Sequence, residues 1–282
     1  MKLRHVLLVI TLGLFAFQTE ARAQGNFNDT SLGVRDGPWL SNPGGGKGSR
    51  DVNKIIVNLG YFGIWDYGSN FANVDVLFSN ANEPANNSAG GSTEFYAVYR
   101  GQLSPDKIFG WNTKFGPIQA INFEFGGDAE SENTQFAPDK KLLILGPSFH
   151  FDLNPGFLTF GVHFSKEWNN NGIAGRAVNF APAPEFEWVW LYPLTFTGLP
   201  MDFRGFMNIV MPKGQNGFGG NTYTEILARP QLQLDIGKLI FNKPHKPDLY
   251  LAVEFWQHKF GDSSQLSGSS EVSPVIGVEV HF

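Results

Sequence analysis

The stretch SEVSPVIGVEVHF (Ser270–Phe282) alternates. Val272, Pro274, Ile276, Val278, Val280 and Phe282 are apolar. Ser273, Gly277, Glu279 and His281 are small or polar, and Val275 alone breaks the second set. A period of two belongs to a strand with one greasy face and one wet face. Such a strand fits a soluble sandwich or a membrane barrel, and the rest of the sequence must decide between them.

The other end of the chain points to export. Lys2, Arg4 and His5 precede the apolar run VLLVITLGLFAF (Val6–Phe17), and QTEARAQ then offers Ala21 and Ala23 in an A-x-A pattern. This predicts a signal peptide over residues 1–23, cleaved after Ala23. The run is shorter than the roughly 20 apolar residues of a membrane helix. Cleavage removes Lys2, Arg4 and Arg22 against Glu20, so the charge falls from −5 to −7. That acidic balance argues against nucleic acid as a partner. The chain has no cysteine, which rules out disulfides and thiolate metal sites. No run of about 18 apolar residues follows Phe17, so no helical span is expected.

With 27 Phe, 7 Trp, 7 Tyr and 33 Gly, residues 24–282 read as one all-β domain. Alternating segments recur along it. NKIIVNLGYFGIWD sets Ile55, Val57, Leu59 and Tyr61 against Asn58 and Phe62. FANVDVLFSN sets Val74, Val76 and Phe78 against Asn73 and Asp75. TEFYAVYRGQL sets Phe95, Ala97 and Tyr99 against Glu94, Tyr96 and Arg100. The same rhythm runs through IQAINFEFGGD, LLILGPSFHFD, FLTFGVHFSKEW, PEFEWVWLY, MDFRGFMNIVM, TEILARPQLQLDIG and DLYLAVEFWQHKF. With an opening strand at NDTSLGVRD and the C-terminal strand, the count is about twelve. NPGGGKGS, NANEPANNSAGGS, NNNGIAGR and PKGQNGFGGN read as loops.

The expected fold is a transmembrane antiparallel β-barrel of about 12 strands, integral to a bacterial outer membrane, with lipid as its surroundings. An even count returns both ends to one side, and closure removes the edges that lipid would not tolerate. Phe282 then sits in the interfacial aromatic girdle. A terminal aromatic on an alternating strand also resembles the signal read by the outer-membrane assembly machinery.

If the apolar set meets lipid, the polar set lines a lumen. It mixes Arg35, Arg100, Arg204 and Arg229 with Asp75, Glu94, Glu124, Glu225, Asp235 and Glu254. Ion pairs that brace the wall account for many such charges, because burial of an unpaired charge is costly. The inner set also holds aromatics: Phe62, Tyr96, Phe206, Tyr250 and Trp256. A pore for hydrated ions gains nothing from them. A pore for flat, hydrogen-bonding solutes does, since stacking of a base on an aromatic is worth about 1–3 kcal/mol. The candidate binding residues are therefore those five aromatics as stacking surfaces. Arg100, Glu124, Arg204, Arg229 and Glu254 are their polar partners.

The stretches FNDTSLGVRDGP, NFANVDVLFSN, EFYAVYRGQLS, FAPDKKLLILGPSFHFD, GFLTFGVHFSKEWNNNGI and PKGQNGFGGNTYTE carry a resemblance. They are similar to the nucleoside-specific outer-membrane channel family (Tsx-like), most of all to its branch of vibrio-type phage-receptor proteins. KEWNNNG and NVDVL are the most specific parts. The resemblance implies a monomeric barrel of 12 strands, a narrow pore for nucleosides, and use by phage or colicin as a receptor. It does not carry nucleoside-contacting residues over position by position. The alternative function is an unselective or plugged barrel acting as a structural protein or receptor.

Other motifs point away from catalysis. His163 and Ser165 have the spacing of a base and nucleophile, but alternation turns both inward, away from lipid substrates. GQNGFGG (Gly214–Gly220) lacks the Gly-Lys-Ser/Thr ending of a phosphate loop. The six histidines are scattered without metal-ligand spacing, so no metal or other cofactor is expected. KPHK (Lys243–Lys246) reads as a periplasmic turn or a loop that meets charged headgroups rather than a binding motif. An enzyme is not expected.

Overall fold

A computed structural model describes residues 27–44, 49–85, 90–134, 136–171 and 174–282. The expected signal peptide lies outside the described residues. The strands are β1 (Phe27–Leu40), β2 (Val52–Trp65), β3 (Gly68–Ser79), β4 (Thr93–Leu103), β5 (Ile118–Glu132), β6 (Asp139–Asp152) and β7 (Phe157–Asn171). They continue with β8 (Arg176–Asn179), β9 (Ala183–Pro193), β10 (Met201–Val210), β11 (Glu225–Asp235), β12 (Asp248–Gln257) and β13 (Glu271–His281). Every neighbouring pair is antiparallel. β1 pairs with β13 and β6 with β7, so the sheet closes on itself. The four-residue β8 only doubles back on the upper part of β7. Twelve strands form the closed wall, as the alternation predicts, and closure leaves no unpaired edge in lipid.

The period-two pattern sorts the wall as expected. Leu143, Leu145, Leu251, Val272, Ile276 and Val278 are exposed on the outside. An aromatic belt of Phe149, Phe160, Phe186 and Trp188 crosses β6, β7 and β9, with Phe160 and Trp188 4.8 Å apart. Among the described residues no helix is long and apolar enough to cross a membrane. The polar faces turn inward and are buried, which inverts the usual order of a soluble protein.

The inward face is not wholly polar. Ile56, Leu142, Ile144 and Val275 are buried there. Val275, which breaks the alternation of the last strand, packs with Tyr250 and Ala252 as an apolar patch inside the wall. Tyr250 pairs directly with Gly277 on β13 and lies over it.

The sequence's four long polar loops all fall at one end of the barrel. At the other end Asp66 and Tyr67 turn β2 into β3, and short helices Pro105–Phe109 and Ile236–Phe241 lie in two further connections. Lys243–Lys246 belongs to this turn end, as expected. So do Phe27 and Phe282, whose backbone N–H donates to Thr30 O at 2.8 Å. The β2–β3, β6–β7 and β9–β10 connections at this end are short, as in outer-membrane barrels, but the β4–β5 and β11–β12 connections are as long as the loops at the other end.

Candidate functional site

The lumen is built from cross-strand polar pairs. On the β1–β3 side, Arg35 pairs with Asp75, and Asn58 Nδ2 donates to Asp75 Oδ1 at 2.7 Å. On the β4–β9 side, Arg100 donates from Nη1 to Asp128 Oδ1 (2.7 Å) and from Nε to Glu187 Oε2 (3.2 Å). Tyr96 Oη donates to the second oxygen of Asp128 at 2.9 Å. Glu124 accepts from Gln102 Nε2 (3.0 Å) and stands 3.6 Å from His163 Nε2. On the β10–β13 side, Arg204 donates to Asp202 (2.7 Å) and lies 3.9 Å from Glu279. Arg229 lies 3.7 Å from Glu254, with its guanidinium 5.0 Å above the Phe206 ring.

These sides differ in what remains accessible. The Arg35 and Arg100 side chains are 6% and 8% exposed, whereas Arg204 and Arg229 are 22% and 23% exposed. The more accessible of these arginines lie on β10 and β11, beside Phe206. A solute that needs hydrogen-bond donors at its edge and an aromatic at its face meets both there.

The ten candidate residues all lie on inward positions, but in different states. Phe206, Arg204, Arg229 and Glu254 form one neighbourhood. Arg100, Tyr96 and Glu124 belong to the tight network on the opposite side. Tyr250 is buried over Gly277. Trp256 donates from Nε1 to Glu225 (2.9 Å) and carries Lys259 Nζ 4.3 Å from its ring centre, so one face is occupied. Phe62 is partly exposed near the turn end, 6.2 Å from Phe27.

Sequence reasoning missed several members of the lining. Asp128 closes the alternating segment IQAINFEFGGD and is absent from the expected lining, yet β5 runs on to Glu132. Two lysines arrive from the loops. Lys213 reaches Glu167 at 2.5 Å and Glu225 at 3.7 Å, and Lys259 reaches Glu271 at 3.1 Å. Glu83, also on a loop, is buried against Lys54 (3.7 Å), which pairs with Glu94 at 2.7 Å. Together they fasten the loop end. Asp262, in the same loop layer, accepts from Asn216 Nδ2 at 3.0 Å, and burial pushes its carboxyl above the usual range.

One expectation needs correction. The histidines scattered in sequence are not all scattered in space: His245 and His281 come together around Asp248 at the turn end. The β12–β13 pairing that sets Asp248 against Glu279 brings them there.

No protein-family model and no curated protein matches the sequence. Among solved structures, the chain is similar to the KdgM porin in complex with disordered oligogalacturonate (11% identity, TM-score 0.47, 89% of this chain and 99% of that one). It is similar to the translocator domain of the autotransporter NalP from Neisseria meningitidis (11% identity, TM-score 0.41, 99% and 96% covered). It is also similar to outer-membrane expressed OmpT of Vibrio cholerae (9% identity, TM-score 0.40, 93% and 99% covered). The barrel itself stands on its own strand register. A closed wall with an apolar outside and an ionised inside is stable only in a membrane, and the protein is an integral outer-membrane β-barrel.

Proposed function

We propose that the barrel is a channel for passive diffusion of nucleosides or similar small, flat, polar solutes. The observation that carries this reading is the half-open group on β10–β12: Phe206 beneath Arg229, with Glu254 and Arg204 beside it. The aromatic supplies a stacking surface, and the guanidiniums and carboxylate supply donors and acceptors for base edges and ribose hydroxyls. Weak sites suit transport, because a solute must leave as well as enter. Passage needs no nucleophile, and His163 and Ser165 act as wall residues in this reading. The resemblance to nucleoside-specific channels points the same way. It also brings a monomeric state and capture by phage or colicin at the loops, while the terminal Phe282 strand suits delivery by the outer-membrane assembly machinery.

A second reading has its own support. Arg100 reaches Glu187 across the interior, and loop lysines are fastened inside the loop end. A barrel closed by such contacts would serve as a structural protein or receptor. Single-channel conductance in a planar bilayer separates the two, titrated with adenosine and with a sugar of similar size. Saturable block by adenosine alone is expected. Open conductance that adenosine does not reduce overturns nucleoside selectivity, and no conductance at all favours the closed barrel.

A further inference from the structure

His245, Asp248 and His281 each offer a donor atom, and the three atoms lie within 4.8 Å of one another. We propose that they form a site for a divalent transition-metal ion of the zinc type at the turn end of the barrel, with Glu279 as a fourth ligand.

The arrangement is built from the register. Asp248 opens β12 and pairs with Glu279 of β13, and His281 follows two residues on, on the same inward face. His245 lies in the connection before β12 with a left-handed backbone (φ 57°), and its carbonyl accepts from the His281 backbone N–H at 3.0 Å. That contact holds the turn against the end of the last strand. His245 Nδ1 is then 2.8 Å from Asp248 Oδ2, and His281 Nε2 is 3.7 Å from the same oxygen and 3.1 Å from Glu279 Oε1. Ligands about 2.0–2.2 Å from a tetrahedral zinc lie about 3.3 Å apart, so little movement separates these atoms from a coordination shell.

Two further observations point to a cation. Asp248 is completely buried, yet its Oδ1 has no hydrogen-bond partner. A buried carboxylate oxygen left this way is costly, and a cation shared between Oδ1 and the Oδ2 that faces the histidines would compensate it. The outer contacts are also those of a metal site. Asp29 on β1 accepts from His281 Nδ1 at 2.8 Å, so a metal at Nε2 would take the place only of the proton that Nε2 shares with Glu279 at 3.1 Å. Gln233 on β11 donates to both Asp248 (2.6 Å) and Glu279 (2.8 Å) and so sets the carboxylates side by side. Two imidazoles with carboxylates favour zinc-like ions over calcium or magnesium, which take oxygen ligands. His245 is half exposed and gives the ion a way in. The ion would join β12 to β13 next to the seam where β13 closes on β1.

The test is calorimetric titration of the folded, tag-free, chelator-stripped barrel with Zn²⁺, and with Co²⁺ as a spectroscopic probe. One equivalent of Zn²⁺ is expected to bind, and Co²⁺ to give the intense visible bands of a tetrahedral site. His245→Ala changes a half-exposed turn residue and leaves the wall intact. It should weaken binding at least tenfold, as should Asp29→Ala, which removes only the orienting contact. Parent protein that binds no stoichiometric Zn²⁺, or that binds it no more tightly than His245→Ala, overturns the site.

Discussion

Arg100 and Glu187 meet at 3.2 Å although β5, β6 and β7 stand between their strands in the wall. The guanidinium also holds Asp128, so one cation serves two carboxylates in a side of the lumen that is nearly closed to water. Removal of Arg100 leaves both carboxylates buried without the guanidinium that pairs them. Arg100→Ala should therefore lower stability by about 3–5 kcal/mol, the usual cost of breaking a buried pair. Glu187→Gln, which keeps a hydrogen-bond acceptor, should cost less. Urea unfolding of the barrel in lipid or detergent measures both. A loss below about 1 kcal/mol for Arg100→Ala is what a solvated pair gives, and it would mean that water fills this side of the lumen.

Phe206 is the aromatic whose loss should be felt in transport. One face of its ring lies under Arg229 and the group keeps accessible polar surface, whereas Tyr96 and Tyr250 are tied into the wall. Phe206→Ala should weaken nucleoside block of conductance by about 1–3 kcal/mol, roughly 5- to 150-fold in affinity. Trp256→Ala should weaken it less, since Trp256 is tied by Nε1 to Glu225 as well as lying under Lys259. Equal block in parent and Phe206→Ala channels removes Phe206 from the binding site.

Gly277 exists to make room for Tyr250. A Cβ at position 277 would come 2.3 Å from Tyr250 Cζ and 2.4 Å from its hydroxyl oxygen, closer than atoms can approach. Gly277→Ala should destabilise the barrel by about 1–3 kcal/mol through overpacking. In a Tyr250→Ala background the same substitution should cost far less, and the double-mutant cycle should show that coupling directly.

The wall was legible in the sequence and the wiring of the lumen was not. Lipid imposes one simple rule on outward positions, so Leu249, Leu251, Val253 and Phe255 declare their strand by themselves. Inward contacts obey the stagger of the whole barrel. Nothing local in EFYAVYRG announces that Arg100 will meet Glu187, 87 residues later. Asp128 follows two glycines that carry no side chain to continue the alternation, and Gly126 and Gly127 lie against neighbouring backbone where a Cβ would collide. Lys213 and Lys259 come from loops, where periodicity carries no information. His245 lies in the connection before β12 and His281 at the end of β13, and they meet only because of the β12–β13 register.

Placement in the membrane makes its own demand on the outward face. Leu251 lies near the middle of β12, exposed, between Leu232 on β11 and Ile276 on β13. An arginine there must enter hydrocarbon or distort the bilayer around it, at a cost of about 2–4 kcal/mol near the midplane and about 0–1 near the interface. Leu239 is equally apolar and also exposed, but it lies on the short helix of the turn end. Leu251→Arg should therefore reduce stability in lipid vesicles by several times more than Leu239→Arg. In detergent micelles, which thin around a charge, the gap should narrow. Unfolding titrations of both variants in both media give the comparison. Equal losses in vesicles would mean that the apolar face of β12 does not meet a bilayer, and the outside of the barrel would need another partner to cover it.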